Sequence, residues 1–284
     1  MKARRPGDLD DDKTKERLTF SPVTATLPLS CRPETLTQKP MSEQILNFLY
    51  AVRSSLVIVP NTIFWAIASC LVTFTPWSRR GIKFCGKCWG GINLFLNGVR
   101  PVYRGLENID PEETYMVIAN HKSFLDIYAA FNCRALYCLF VAKQELTRIP
   151  IFGTALRRSG SIIIDRSNRK QAITELQRQG RIIKEKHFSI ILFAEGTRIP
   201  AEIQLGRFKK GGFMLAAQLG LPILPLAIKN SGNLQPKGKI AIKPGTVTLT
   251  FCPPIPSPTW KDGVDMAALN EVMEKTRAAI AAHL

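Results

Sequence analysis

From residue 99 to the C terminus, short apolar runs rich in Val, Ile, Leu and Phe alternate with longer segments of helical periodicity, and this alternation limits the chain to a sheet covered by helices. VRPVYRG (99–105), TYMVIA (114–119), ALYCLFVA (135–142), SIIIDR (161–166), FSIILFA (188–194), LPILPLAI (221–228) and TVTLTFCPPI (246–255) read as strands. Between them, SFLDIYAAF (123–131) begins a helix and NRKQAITELQRQGRIIKEK (168–186) reads as an exposed basic one. KKGGFMLAAQLG (209–220) is a helix ending on Gly220, and an amphipathic helix over 265–284 closes the chain. The expected class is therefore α/β, a mixed β-sheet flanked by helices.

In such sheets the reactive side chains gather where strands end and loops are free to carry polar residues. Four ends are chemically loaded. After YMVIA comes NHKSFLD, in which Asp126 can fold back on His121, fix its tautomer and leave one ring nitrogen to take a proton from a hydroxyl. Ser123-x-x-Asp126 is also a capping-box pattern that needs no chemistry, and the heptapeptide alone leaves both readings open. The strand SIIID ends on Arg166, and ILFA delivers Glu195, Gly196, Thr197 and Arg198 into a loop. An arginine fork at a strand end can hold two oxygens of a phosphate, while Gly196 permits close backbone approach. Lys209 and Lys210 open a helix whose free N–H groups add to their charge, beside apolar walls and the Pro222/Pro225 strand. A phosphate next to an apolar groove describes a lipid.

Ahead of the sheet the composition changes. From Leu56 to Pro76 there is no charged residue, a run long enough for a bilayer at ~20 residues per span. Pro60-Asn61 interrupts it and Ser and Thr dot it, so a bent helix, or one that dips into a single leaflet, competes with a straight span. Trp77 and the basic residues Arg79, Arg80, Lys83 and Lys87 follow, suited to a headgroup layer and to the cytoplasmic side of an inner membrane. Ile82, Cys85, Trp89, Ile92 and Leu96 then recur at helical spacing, giving a second, amphipathic helix. The expected organisation is a loosely ordered tail over 1–41, a membrane-contacting helical pair over 42–98 and an α/β domain over 99–284.

Charge narrows the partners. The chain carries 39 Lys+Arg against 22 Asp+Glu, a formal +17, and residues 1–40 hold only 8 and 6 of these, so the excess belongs to the body. Such a surface favours polyanions. No nucleic-acid signature accompanies it, and the basic residues that follow the apolar run suit anionic lipid better. The seven cysteines lack framework spacing and fit a reducing compartment, with Cys85-Gly-Lys-Cys88 read as small residues on a helix face and no metal site expected.

In order and spacing these blocks resemble the 1-acylglycerol-3-phosphate O-acyltransferases, the lysophosphatidic acid acyltransferases of the glycerolipid acyltransferase superfamily. NHKSFLD stands for the His-x4-Asp box, GSIIIDR for the block ending in Arg, FAEGTR for the Glu-Gly-Thr-Arg box and LPILPLAI for the proline-containing block, over about residues 56 to 260. Ala194 replaces a usual Pro, and Phe124 a common Trp. The resemblance implies a glycerol-3-phosphate acyltransferase-like fold behind a membrane-contacting helix pair, with His121 the general base and Asp126 its partner. It implies Arg166, Glu195, Gly196 and Arg198 as binders of the glycerol phosphate, to which the residue reading adds Thr197 and Lys209, and Pro222 as shaping the site near the acyl chain. It further implies lysophosphatidic acid as acceptor, acyl-CoA or acyl carrier protein as the co-substrate, no resident cofactor, and work at a membrane surface. Another acceptor, such as glycerol 3-phosphate or a different lysolipid, and a noncatalytic lipid-binding role are the alternatives.

Overall fold

The computed structural model describes residues 40–158, 161–164, 188–258 and 265–284, together with Thr174, Arg178 and Gly263. The tail through residue 39, the strand end Asp165-Arg166 and, apart from Thr174 and Arg178, the basic helix expected over 168–186 lie outside the described residues.

The expected strands appear as β1 (Val99–Arg104), β2 (Met116–Ala119), β3 (Cys138–Lys143), β4 (Ile162–Ile164), β5 (Ser189–Phe193), β6 (Ile223–Lys229) and β7 (Gly245–Phe251). They form one sheet in the order β1-β7-β6-β2-β5-β3-β4. β6, β2, β5, β3 and β4 run parallel; β7 pairs antiparallel with β6 and parallel with β1, so the sheet is mixed. The parallel run brings the C-terminal ends of β2, β5, β3 and β4 to one edge, where loops can converge.

The described helices are α1 (Met41–Val72), α2 (Ser78–Leu96), α3 (Leu125–Asn132), α4 (Phe152–Arg158), α5 (Gly211–Leu219), α6 (Ser231–Leu234) and α7 (Met266–Ala281). Because side chains alternate across a strand, β2 feeds two cores. Val117 and Ala119 pack with Leu94 of α2 and with Leu125, Tyr128 and Ala129 of α3. Met116 and Ile118 pack with Phe213 and Leu215 of α5 and with Leu269 and Ile280 of α7. All four β2 residues are buried, which is why this strand reads as continuous hydrophobic text. α5 stops where expected: Gly220 takes φ 61°, and its N–H returns to the Ala216 and Ala217 carbonyls.

α1 is a single helix that continues through Pro60, as the bent, dipping and straight readings all require. Proline removes one N–H and crowds the carbonyl four residues back, which weakens an isolated helix by ~3 kcal/mol. Tertiary bonds on one face offset that cost. Arg53 donates to the carbonyls of Asn97 (3.0 Å) and Ile242 (2.6 Å), and Ser54 Oγ donates to Asn97 Oδ1 at 2.9 Å. Past the proline, Asn61 donates to the Trp89 carbonyl at 3.1 Å and the Trp89 indole N–H to Thr62 Oγ1 at 3.0 Å. The polar residues that dot the apolar run therefore form the stripe that docks α1 on the body. The other face carries exposed Leu56, Phe64 and Leu71, and by length and composition α1 is the one described helix able to cross a membrane.

Candidate active site

Asn120 ends β2 by bonding sideways: its Nδ2 donates to the Ile228 carbonyl (2.8 Å) and its Oδ1 accepts from the Ile228 N–H (2.7 Å). This fully buried amide closes the sheet against β6, and the next residue leaves it. His121 then turns its ring onto Phe193, the last residue of β5, with centroids 3.8 Å apart and planes within 10°. Its Nδ1 lies 2.8 Å from Asp126 Oδ2. A carboxylate only accepts, so the proton of the neutral ring sits on Nδ1 and the lone pair on Nε2.

Asp126 has no exposed surface, and its Oδ2 also accepts the backbone N–H groups of Lys122 (2.8 Å) and Ser123 (2.9 Å). The bond to the Ser123 N–H is the returning half of a capping box. Ser123 caps from one residue further out than expected: α3 is entered at Phe124, and Ser123 Oγ accepts the Leu125 N–H at 3.1 Å. The helix start and the histidine partner are thus one construction. The turn that begins α3 aims the carboxylate.

The loop after β5 lies against this one. Ile199 N–H donates to the His121 carbonyl at 2.9 Å, and the Arg198 guanidinium carbon sits 4.0 Å from the Phe124 ring centre, so the phenylalanine replacing the usual tryptophan still supplies an aromatic face. Gly196 adopts φ 69°, and a Cβ there would meet the Lys209 side chain at 3.0 Å, which ties this glycine to the lysine crossing it. Glu195 points the other way. It is 3% exposed, and its Oε2 accepts the His121 backbone N–H at 2.7 Å while Oε1 accepts that of Gly206 at 3.3 Å. Burial, with a smaller push from the Asp126 charge, holds its carboxyl above the ordinary value of 4.5, while those N–H groups pull it down.

Both loops open onto a cavity of about 1970 Å³. One end presents His121, Gly196, Thr197, Arg198 and Lys209, joined by Arg207, Lys210 and Arg277; the remainder is walled by side chains such as Ile58, Trp65, Trp89, Phe131, Tyr137 and Phe140. Of the expected site residues, Arg166 lies outside the described residues, Asp126 and Glu195 are buried behind the lining, and Pro222 requires correction. Its carbonyl accepts from the N–H of Met116, the first residue of β2, so Pro222 belongs to the opposite end of the sheet from His121 and is no part of the cavity lining. The proline rigidifies the entry to β6 instead. Three contributors went unmarked in the sequence. Phe193 and Asn120 read as an ordinary strand residue and loop opening, and Arg277, on α7, donates to the Gly206 carbonyl at 2.6 Å from within an ordinary amphipathic helix. Among the described residues no group of His, Cys, Asp and Glu could hold a metal ion.

A histidine oriented by a buried carboxylate, at the cationic end of an apolar chamber, suits an acyltransferase acting on a phosphorylated lipid. The comparisons agree. The Acyltransferase family model matches residues 100–229. A 1-acyl-sn-glycerol-3-phosphate acyltransferase of Pseudomonas aeruginosa is 35% identical over 210 residues, covering 72% of this chain and 77% of that one. The Limnanthes alba enzyme of the same name is 30% identical over 207 residues, 72% of each chain. The crystal structure of the 1-acyl-sn-glycerophosphate (LPA) acyltransferase PlsC from Thermotoga maritima superposes with a TM-score of 0.69 at 25% identity, covering 83% of this chain and 95% of that one. The chain belongs to the 1-acyl-sn-glycerol-3-phosphate acyltransferase family.

Proposed function

We propose that this enzyme transfers a fatty acyl group from a thioester to the sn-2 hydroxyl of 1-acyl-sn-glycerol 3-phosphate, forming phosphatidic acid, with His121 as general base. The observation that carries this reading is the His121–Asp126 pair, 2.8 Å apart, at the cationic end of an apolar cavity. With Nδ1–H held by Asp126, Nε2 takes the hydroxyl proton as the oxygen attacks the thioester carbonyl. The C–S bond then breaks, and the imidazolium returns the proton to the departing thiolate. A general base in position contributes typically 10²–10⁴-fold. No covalent acyl-enzyme is needed, and the thioester, acyl-CoA or acyl carrier protein, is a co-substrate and no resident cofactor.

Arg198, Lys209 and Arg166 receive the phosphate, Thr197 offers a hydroxyl, and Gly196 leaves room for close approach. Glu195 takes a different role from the one the resemblance implies. Buried behind the cavity lining, with Oε2 on the His121 N–H and Oε1 on that of Gly206, it is a positioning residue that holds His121, and the substrate meets the cations in front of it.

α1 supports the membrane reading. Its contacts with the body run from Arg53 to Thr73, where Arg158 donates to Thr73 Oγ1 at 3.0 Å. At 1.5 Å per residue that docked length is about 30 Å, the thickness of a whole hydrocarbon core. A helix held to the protein over that length lies in one leaflet, on the cytoplasmic side, where the thioester donors are found.

The test is a membrane-fraction assay that offers lysophosphatidic acid, glycerol 3-phosphate and a neutral lysolipid against acyl-CoA and acyl carrier protein donors. Phosphatidic acid formed from lysophosphatidic acid, with little product from the other acceptors, is expected. Faster acylation of either alternative overturns the acceptor assignment.

A further inference from the structure

Two segments far apart in sequence expose large apolar side chains side by side. One is the C-terminal end of α1 and its turn into α2, where Phe74 is 74% and Trp77 69% exposed. The other is the 3₁₀ helix Gln144–Arg148 and the turn that leads from it into α4, where Leu146, Ile149 and Ile151 are 39%, 48% and 42% exposed. Arg158 of α4 joins them, its guanidinium 4.4 Å from the Phe74 ring centre. Ile151 takes φ 63°, a left-handed conformation that costs a β-branched residue ~1–2 kcal/mol. That strain goes with an apolar side chain turned outward, toward water in the isolated chain.

We propose that the turn over residues 146–151 is a second membrane-inserting element, separate from the helix pair and set beside the mouth of the acyl cavity. The occupant of this surface is an anionic bilayer. Arg158 ties this segment to Phe74 and Thr73 at the end of α1, and the exposed Arg148, Arg157 and Arg158 outnumber the exposed Glu145 beside it, leaving positive charge suited to acidic headgroups. Leu146, Ile149 and Ile151 also line the cavity, so inserting the turn seats the cavity rim in the acyl layer. A lysolipid could then move its chain from bilayer to cavity without crossing water. The inference rests on the membrane reading above.

The test uses a photoreactive benzoylphenylalanine introduced singly at position 149, at position 56 on the exposed face of α1, and at position 275 on α7. Each full-length protein is irradiated on vesicles of phosphatidylcholine and phosphatidylglycerol, and covalent diacyl-lipid adducts are read by mass spectrometry. Adducts at 149 and 56, at least tenfold above those at 275, are the expected result. Adducts at 56 with none at 149 overturn the second element and leave the membrane reading standing. None at 56 overturns the membrane reading itself. Should the probe at 149 prevent folding, the same probe at position 148, outside the cavity lining, replaces it under the same criteria.

Discussion

The loops after β2 and β5 lie against each other and use their polar groups in opposite ways. In the first, the described bonds turn inward: Asp126 accepts from His121, Lys122 and Ser123, Ser123 caps α3, and one imidazole nitrogen remains for chemistry. In the second, only Glu195 turns inward, while Thr197 and Arg198 face the cavity, with Lys209 crossing beside Gly196. A proton transfer needs one atom held in place, whereas a phosphate needs several donors around it. The difference predicts that substitutions at His121 and its partner Asp126 lower kcat, and that those at the phosphate-facing group, Arg198 and the Phe124 ring it packs on, raise KM.

The sharpest way to break the comparison is His121→Ala. It should lower kcat by about 10²–10⁴-fold in a thiol-release assay while the protein stays membrane-bound. Asp126→Asn should lower kcat by up to about 10⁴-fold, since an amide no longer fixes the ring proton on Nδ1. Arg198→Ala should raise KM for lysophosphatidic acid by about tenfold or more, the worth of a charge-assisted hydrogen bond, with kcat much less affected; Phe124→Ala, losing only the aromatic face, should raise it about two- to fivefold. The smallest effect concerns pH. Because burial raises the folded-state pKa of Glu195, this group's contribution to stability is greatest below 4.5 and declines as pH rises through the folded value. Denaturant unfolding of Glu195→Gln across that range should show a shallower decline than the parent chain.

Much of this was legible in the sequence because the signals were periodic or local. β2 and β6 read as strands from unbroken apolar runs, Gly220 marked the end of α5, and His121 with Asp126 fell in one turn. Non-local contacts were not legible. Pro60 left a bent, a dipping and a straight helix open, and the bonds of Arg53, Ser54, Asn61 and Thr62 that dock α1 are to residues distant in sequence. Pro222 sits in a family-like block, but only strand direction shows that it starts β6 where β2 also starts. Arg277 bears no local mark, since its partner carbonyl is 71 positions away.

Glu195 tests the division between the loops most directly, because its sequence block groups it with the phosphate binders and its bonds group it with His121. The deciding measurement is the separate determination of kcat and KM for lysophosphatidic acid in Glu195→Gln. A positioning residue predicts kcat lowered about tenfold or more with KM nearly unchanged. A raised KM with kcat retained would contradict that role and return Glu195 to the substrate.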